Sequence, residues 1–343
     1  MVRLKLNVKE AAKYAFVLIL TGAIFWYLFR QIQLDDFKSA LSQFNFWWIG
    51  LSIFLSIFSH ILRAWRWKLL LQGSDYSANL SNSYFAVMIG YLANSIFPRL
   101  GEVTRCGILN KTDKVPVSIS LGTVVTERVI DLFILLIVTA VTFLLQFNLL
   151  ESYFNNGLLS LKTKLIDNWW ILGLLFVLGI LGLYLLFYTS LGKRVKLVGK
   201  VRDFVGGLWT GITSLKHVKN QFGFWISTLG IWVLYFFMLY VITFGSPLTE
   251  NLGILAGLSI LVMGSFGMAT PIPNGVGAFH TLVAGVLVLY GIDQQEGIIF
   301  ATIMHTSQFI TVLVIGSISL ILVNIKHKRQ SKIGNSEQNK IEE

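Results

Sequence analysis

Long apolar runs separated by short polar segments set the organisation of the chain. Runs at about 12–29, 46–62, 117–147, 168–188, 223–245 and 297–325 each reach the roughly 17 residues needed to cross a bilayer core. Two further apolar stretches are interrupted. Residues 83–97 stop at Pro98 and resume to about 110, and residues 253–291 are broken by Pro271, Pro273, Gly275 and Gly277. A helix of about 15 residues reaches only about 22 Å against a core of about 30 Å. The pattern therefore predicts two re-entrant helical hairpins, at 83–110 and 253–291. The fold class is an all-α integral membrane protein with six full transmembrane helices and two oppositely oriented hairpins. Trp47-Trp48 and Trp169-Trp170 open two of the spans, as an interfacial aromatic belt would.

The halves 10–147 and 168–325 have the same order of elements. Each reads span, span, hairpin, span, and the halves begin on opposite sides of the membrane. Such an inverted repeat is a plan used by secondary transporters, with the site at the interrupted segments. The whole of 1–325 is expected to form one membrane domain. Segment 193–216 differs from the spans, because Val198, Val201, Val205, Leu208, Ile212 and Leu215 recur at steps of three and four beside five basic residues. That suits an amphipathic helix on the cytoplasmic face, either touching lipid or packing on the bundle. From Lys326 to residue 343 the composition turns polar and basic, and a disordered cytoplasmic tail is expected.

Composition agrees with the pattern. Hydrophobic residues make up 55% and charged residues 13% of the chain, well below the quarter or so of a soluble domain, and the mean hydropathy is +0.69. The net charge of +11 lies in short loops, which reports membrane orientation rather than a nucleic-acid partner. With both termini cytoplasmic and each hairpin returning to its own side, most of the 28 Lys and Arg residues face the cytoplasm. Cys106 is the single cysteine, which excludes an intrachain disulfide and a Cys-based metal site. The basic N-terminus precedes an apolar run that lacks a small-residue cleavage site, so it reads as a retained helix of the inner membrane rather than a leader. No nucleotide, zinc or nucleophile-elbow motif is present. No metal or cofactor is expected.

Four polar clusters interrupt the apolar background. The first is Arg63 and Arg66, with His60 and Lys68, at the end of the second span. Two guanidiniums three residues apart can hold a phosphate, while a snorkelling interfacial belt is the plainer account, above all for Lys68. The second is the stretch Asn94 to Arg105. If a helix resumes after Pro98, Arg99, Glu102 and Arg105 fall on one face, and its start offers backbone N–H groups to an anion. A structural ion-pair network is the alternative. The third is Glu127, Arg128 and Asp131, about ten residues into an apolar run, where charge is costly unless paired or hydrated. These groups either couple to protons or cations or form a structural triad. The fourth is the segment Pro271, Pro273, Asn274, Gly275, Gly277 and His280, whose glycines let backbone approach a ligand; histidine is the side-chain type that ordinarily titrates near neutrality, and a histidine merely satisfied on an apolar face is the plainer account. His305 and Gln308, one turn apart, can face the same cavity.

These clusters, in this order, resemble the flippase-like transmembrane domain family, the membrane part of lysylphosphatidylglycerol synthase. The resemblance rests on Arg63-Ala-Trp-Arg66-Trp-Lys-Leu-Leu, on Asn94 to Arg105, on Glu127-Arg128 with Asp131, and on Pro271-Ile-Pro-Asn-Gly-Val-Gly. It covers roughly residues 10–325. It implies an inner-membrane protein that moves or binds a lipid with a charged headgroup, a phospholipid or a polyprenyl-linked lipid. The aminoacyltransferase domain of fused members is absent, so lysyltransferase activity is not expected. Many members follow Pro-Gly-Gly-x-Gly with a glutamate, where this chain has Pro-Asn-Gly-Val-Gly and then His280. The expected function is a lipid or lipid-linked substrate translocase. A membrane transferase or accessory subunit acting on a headgroup, and a membrane scaffold, are the rival readings. A homo-oligomer is compatible with each.

Overall fold

The computed structural model describes residues 34–147, 216 and 218–342, with side chains as far as Lys326 in the last helix. All regular structure among the described residues is helical. The helices are α1 (Leu34–Ser42), α2 (Trp47–Gly73), α3 (Leu80–Ile96), α4 (Leu100–Asp113), α5 (Val117–Leu145), α6 (Gln221–Thr243), α7 (Ile254–Ala269), α8 (Ala278–Leu289) and α9 (Gln294–Glu342). Four are long and apolar enough to cross a membrane: α2, α5, α6, and α9 over Gln294–Lys326. The first span, the span at 168–188 and the amphipathic segment 193–216 lie outside the described residues, Lys216 apart.

The chain divides into two compact units, Met1–Val124 with His217–Glu343, and Val125–Lys216. In the first, α2 packs along α6, α3 against α4, and α7 against α8, while α9 runs against α8, α3 and α2. The pairs α3–α4 and α7–α8 are the two helical hairpins. Of the second unit, the described part is the remainder of α5, two residues beyond it and Lys216.

Local chemistry explains the ends of these elements. Asn79 caps α3 through Oδ1, which accepts from the Ser81 N–H at 2.9 Å. Asn220 caps α6 in the same way, accepting from the Gly223 N–H at 2.8 Å. Both are the short polar side chains that satisfy orphan helix donors. α3 stops because Phe97 precedes a proline, which biases it to the extended conformation it adopts, at φ −132°. Arg99 then turns the chain with a left-handed φ of 66°.

Two glycine contacts close the first hairpin. A Cβ on Gly90 would sit 2.9 Å from the Gly101 carbonyl oxygen, and one on Gly101 would run into the Gly90 carbonyl oxygen. Only residues without side chains permit this approach. The second hairpin repeats the device: a Cβ on Gly267 would lie 2.6 Å from the Phe279 Cα. Trp67, Leu71, Ala86, Val87, Cys106, Leu109 and Val124 form the core beneath the first hairpin.

Three features depart from the sequence expectations. α2 continues eleven residues beyond 62, through Arg63, Arg66 and Lys68 to Gly73. The arginines do not end it, because they lie on its buried side with Trp67, Leu70 and Leu71. α1, with Asp35 and Asp36 in its first turn, suits the helix dipole and forms in a segment between two of the apolar runs. The segment after Lys326, expected to be disordered, continues α9 as helix to Glu342. It contains no proline and is rich in Lys, Gln and Glu, all good helix formers.

Candidate functional site

α2 carries a polar stripe that runs half the thickness of a bilayer or more. Ser52, Ser56, Ser59, His60, Arg63 and Arg66 are all buried, and their spacing of three or four places them on one side of the helix. The opposite side presents Phe54, Phe58 and Ile61 to the surroundings, as a lipid-facing surface would. From Ser52 to Arg66 the stripe covers about 21 Å at 1.5 Å per residue. Buried polarity of this length in a membrane-spanning helix marks a functional region by default.

Partners for the stripe come from other helices. Ser52 Oγ accepts from Gln308 Nε2 on α9 at 2.8 Å and donates to the Met238 carbonyl on α6. Ser56 Oγ lies 3.4 Å from His60 Nε2. Arg63 Nη1 donates to the Tyr235 hydroxyl at 2.8 Å, and its guanidinium carbon is 5.7 Å from the centroid of the Tyr91 ring. Trp67 Nε1 donates to Thr123 Oγ1 at 2.9 Å. Arg105 comes over the Trp67 ring at 4.8 Å, a cation–π contact. Arg63, Arg66 and Arg105 are thus buried together in the first unit, each at 4% exposure or less.

The expected face of Arg99, Glu102 and Arg105 is only partly formed. Arg105 is buried and Glu102 half-buried on α4, but Arg99 precedes the helix and is exposed. Its left-handed conformation takes it off the helical register, since the turn after Pro98 needs a residue there. The α4 N-terminus is also occupied. Gly101 N–H donates to Asn94 Oδ1 at 2.7 Å, so Asn94 serves as the clasp of the hairpin.

At the second tip, Pro273–Gly275 form a single 3-10 turn with Asn274 left-handed at φ 51°. Gly275 and Gly277 follow at φ 66° and 85°, the region glycine enters freely. The Asn274 carbonyl accepts from His305 Nε2 at 2.9 Å, which fixes the proton of that ring on Nε2. His280 Nδ1 accepts from the Gly277 N–H at 3.1 Å and so caps α8. The two imidazole rings stand 5.0 Å apart, edge to face. Pro271 is exposed and Pro273 buried. His305 holds the tip and Gln308 reaches Ser52 on α2.

The 3-10 turn also packs against α3, so the second tip touches the first hairpin. Glu127, Arg128 and Asp131 belong to the second unit. On α5, Glu127 is fully buried, Asp131 half-buried and Arg128 exposed. Sequence reasoning missed Tyr91, which meets His60 and Arg63, Tyr235, which accepts from Arg63, and Trp232, which packs on Tyr235.

The helices and the buried arginines define a multi-pass, all-α membrane protein with a charged interior. Comparison with known proteins narrows this. Residues 13–316 match the lysylphosphatidylglycerol synthase TM region, and the chain belongs to that family. It is similar to a UPF0104 membrane protein of Methanocaldococcus jannaschii, at 21% identity over 344 residues, covering 92% of this chain and 96% of the relative. No solved structure matches the chain.

Proposed function

We propose that this protein is a translocase for a lipid or lipid-linked substrate with an anionic headgroup, acting in the inner membrane. The two hairpins enter from opposite faces as halves of an inverted repeat, with both termini in the cytoplasm. The headgroup passes between their tips along the α2 stripe, while the acyl chains stay in the bilayer. Arg63, Arg66 and Arg105 hold the phosphate, and Arg99 and Glu102 stand at the cytoplasmic mouth. Pro271 to His280 form the outer half of the path. Glu127 and Asp131 couple movement to protons or cations.

The observation that carries this reading is the packing of the Pro273–Gly275 turn on α3. It brings the two hairpins into contact, as transporter sites are built from interrupted segments. Family membership supports a lipid as the partner, since the family is described by a lipid synthase.

The test is headgroup flipping in proteoliposomes. Wild type is expected to flip a fluorescent anionic phospholipid, and Arg105→Ala and Glu127→Gln to lose most of that rate while remaining folded by circular dichroism. Equal rates in wild type, variants and protein-free vesicles would overturn the proposal.

A further inference from the structure

The middle of α2 meets α6 at a polar junction that the hairpin tips do not supply. The two helices run antiparallel. Asn45 N–H donates to the Gly245 carbonyl at 2.8 Å, and Lys219 Nζ meets Asp75 at 2.7 Å at the other end. Between them, a Cβ on Gly230 would lie 2.8 Å from Leu62 Cδ1. This register sets His60 and Trp232 nearly level. Arg63 follows His60 by one turn on α2, and Tyr235 follows Trp232 by one turn on α6. Helical side chains lean back toward their own N-terminus. Arg63 and Tyr235 therefore converge over the turns that carry His60 and Trp232, where Arg63 Nη1 donates to the Tyr235 hydroxyl at 2.8 Å. The Tyr91 ring adds a wall from α3, with its centroid 5.0 Å from that of His60. The Trp232 indole packs edge-on against Tyr235 at 6.1 Å.

Two ring nitrogens at this junction have no hydrogen-bond partner among the described residues, His60 Nδ1 and Trp232 Nε1. His60 is 7% and Trp232 8% exposed. A buried polar group without a partner carries its desolvation cost uncompensated, so each reports something that belongs beside it. An indole N–H only donates, which makes the missing group an acceptor. His60 also donates from Nδ1 in the tautomer that leaves Nε2 to accept from Ser56 Oγ. Arg63 contributes positive charge, and guanidinium donors favour phosphate.

We propose that His60, Arg63, Trp232 and Tyr235 form an oxyanion-binding site midway along α2. Its ligand is a phosphate group, carried by a lipid headgroup or free. The site deepens the translocase reading and rests on it only for the lipid as source. Trp232 and His60 orient the oxyanion, and Tyr235 holds the guanidinium in place.

The test uses the full chain in detergent micelles with 15N-labelled tryptophan, the Trp232 indole signal being assigned by its loss in Trp232→Phe. The probes are water-soluble dihexanoyl phosphatidic acid and inorganic phosphate. Dihexanoyl phosphatidic acid is expected to shift the Trp232 indole N–H signal saturably. Trp232→Phe keeps the ring and removes the donor, and His60→Phe does the same for the imidazole. Each is expected to raise the Kd, read for wild type and both variants by isothermal titration calorimetry, about tenfold with the unfolding midpoint unchanged. Saturation by the lipid alone identifies a headgroup, and saturation by both probes identifies phosphate itself. An indole signal that neither probe moves, as with water alone in the site, overturns the proposal, and so does an unchanged Kd in both variants. Binding without any flipping by wild type sinks the translocase reading and leaves the site. Flipping that Arg105→Ala abolishes, with a silent Trp232 signal, sinks the site and leaves the translocase.

Discussion

Gly101→Ala is expected to open the first hairpin, and the size of the effect follows from its contacts. The added methyl would run into the Gly90 carbonyl oxygen and lie 2.7 Å from both Asn94 Cγ and Asn94 Oδ1. One obstacle is backbone, so no rotamer change relieves it. Overpacking of this kind costs about 1–3 kcal/mol. Displacing Asn94 also weakens the 2.7 Å bond it accepts from the Gly101 N–H, about 1 kcal/mol more. Against this, alanine is better than glycine in a helix by about 1 kcal/mol. The net expectation is a loss of about 1–3 kcal/mol. Gly107, six residues later on the same helix, has nothing within 4 Å of its would-be Cβ. Gly107→Ala should therefore show the propensity gain alone, up to about 1 kcal/mol of stabilisation. Identical chemistry on one helix is thus predicted to have opposite signs. Equilibrium unfolding in mixed micelles, followed by helicity, reads both. If Gly101→Ala proves as stable as Gly107→Ala, the close approach of α3 and α4 is wrong.

Three other outcomes are expected. Gly267→Ala should destabilise the second hairpin, because its Cβ would sit 2.6 Å from the Phe279 Cα. A cysteine cross-link placed across α7 and α8 should then form more slowly than in wild type. Lys326→Met should loosen the start of α3, since Lys326 Nζ donates to Asn82 Oδ1 at 2.9 Å and Asn82 in turn donates to Asp113 at 2.9 Å. Amide exchange at Asn79–Ser83 should rise several-fold. The hydrogen bond from Lys219, and then its charge, hold the Asp75 carboxyl below its usual value of 3.8. That contribution is present above the unfolded value and lost as pH falls through the folded one. The pair is exposed, so Asp75→Asn should leave the neutral-pH unfolding midpoint unchanged within error.

The hairpins were legible because their breaks are local. Pro98, Pro271, Pro273 and the glycines act within a turn of themselves, and a short apolar run announces its length. The length of α2 was not legible, since arginine in an apolar run looks the same whether it faces headgroups or a protein interior. Arg99 gave no sign of its left-handed turn, which usually falls to glycine or asparagine. The partners on the α2 stripe were hidden for another reason. Tyr235 lies 172 positions from Arg63 in the chain, and tyrosine or tryptophan in a membrane span reads as belt or packing until the helices are paired. Which polar residues gather is a property of helix packing, and periodicity within one helix carries no record of it.

α9 is fastened at several heights. His305 grips the Asn274 carbonyl, Gln308 reaches Ser52, Gly316 lets the helix lie against Leu92 and Met88, and Lys326 reaches Asn82. The outermost of these anchors are 21 residues apart, about 32 Å along one unbroken rod. A rod pinned in this way cannot tilt at one end alone. Any displacement of the 273–275 turn is therefore carried along this rod to the start of the first hairpin at Asn82, 21 residues and about 32 Å away.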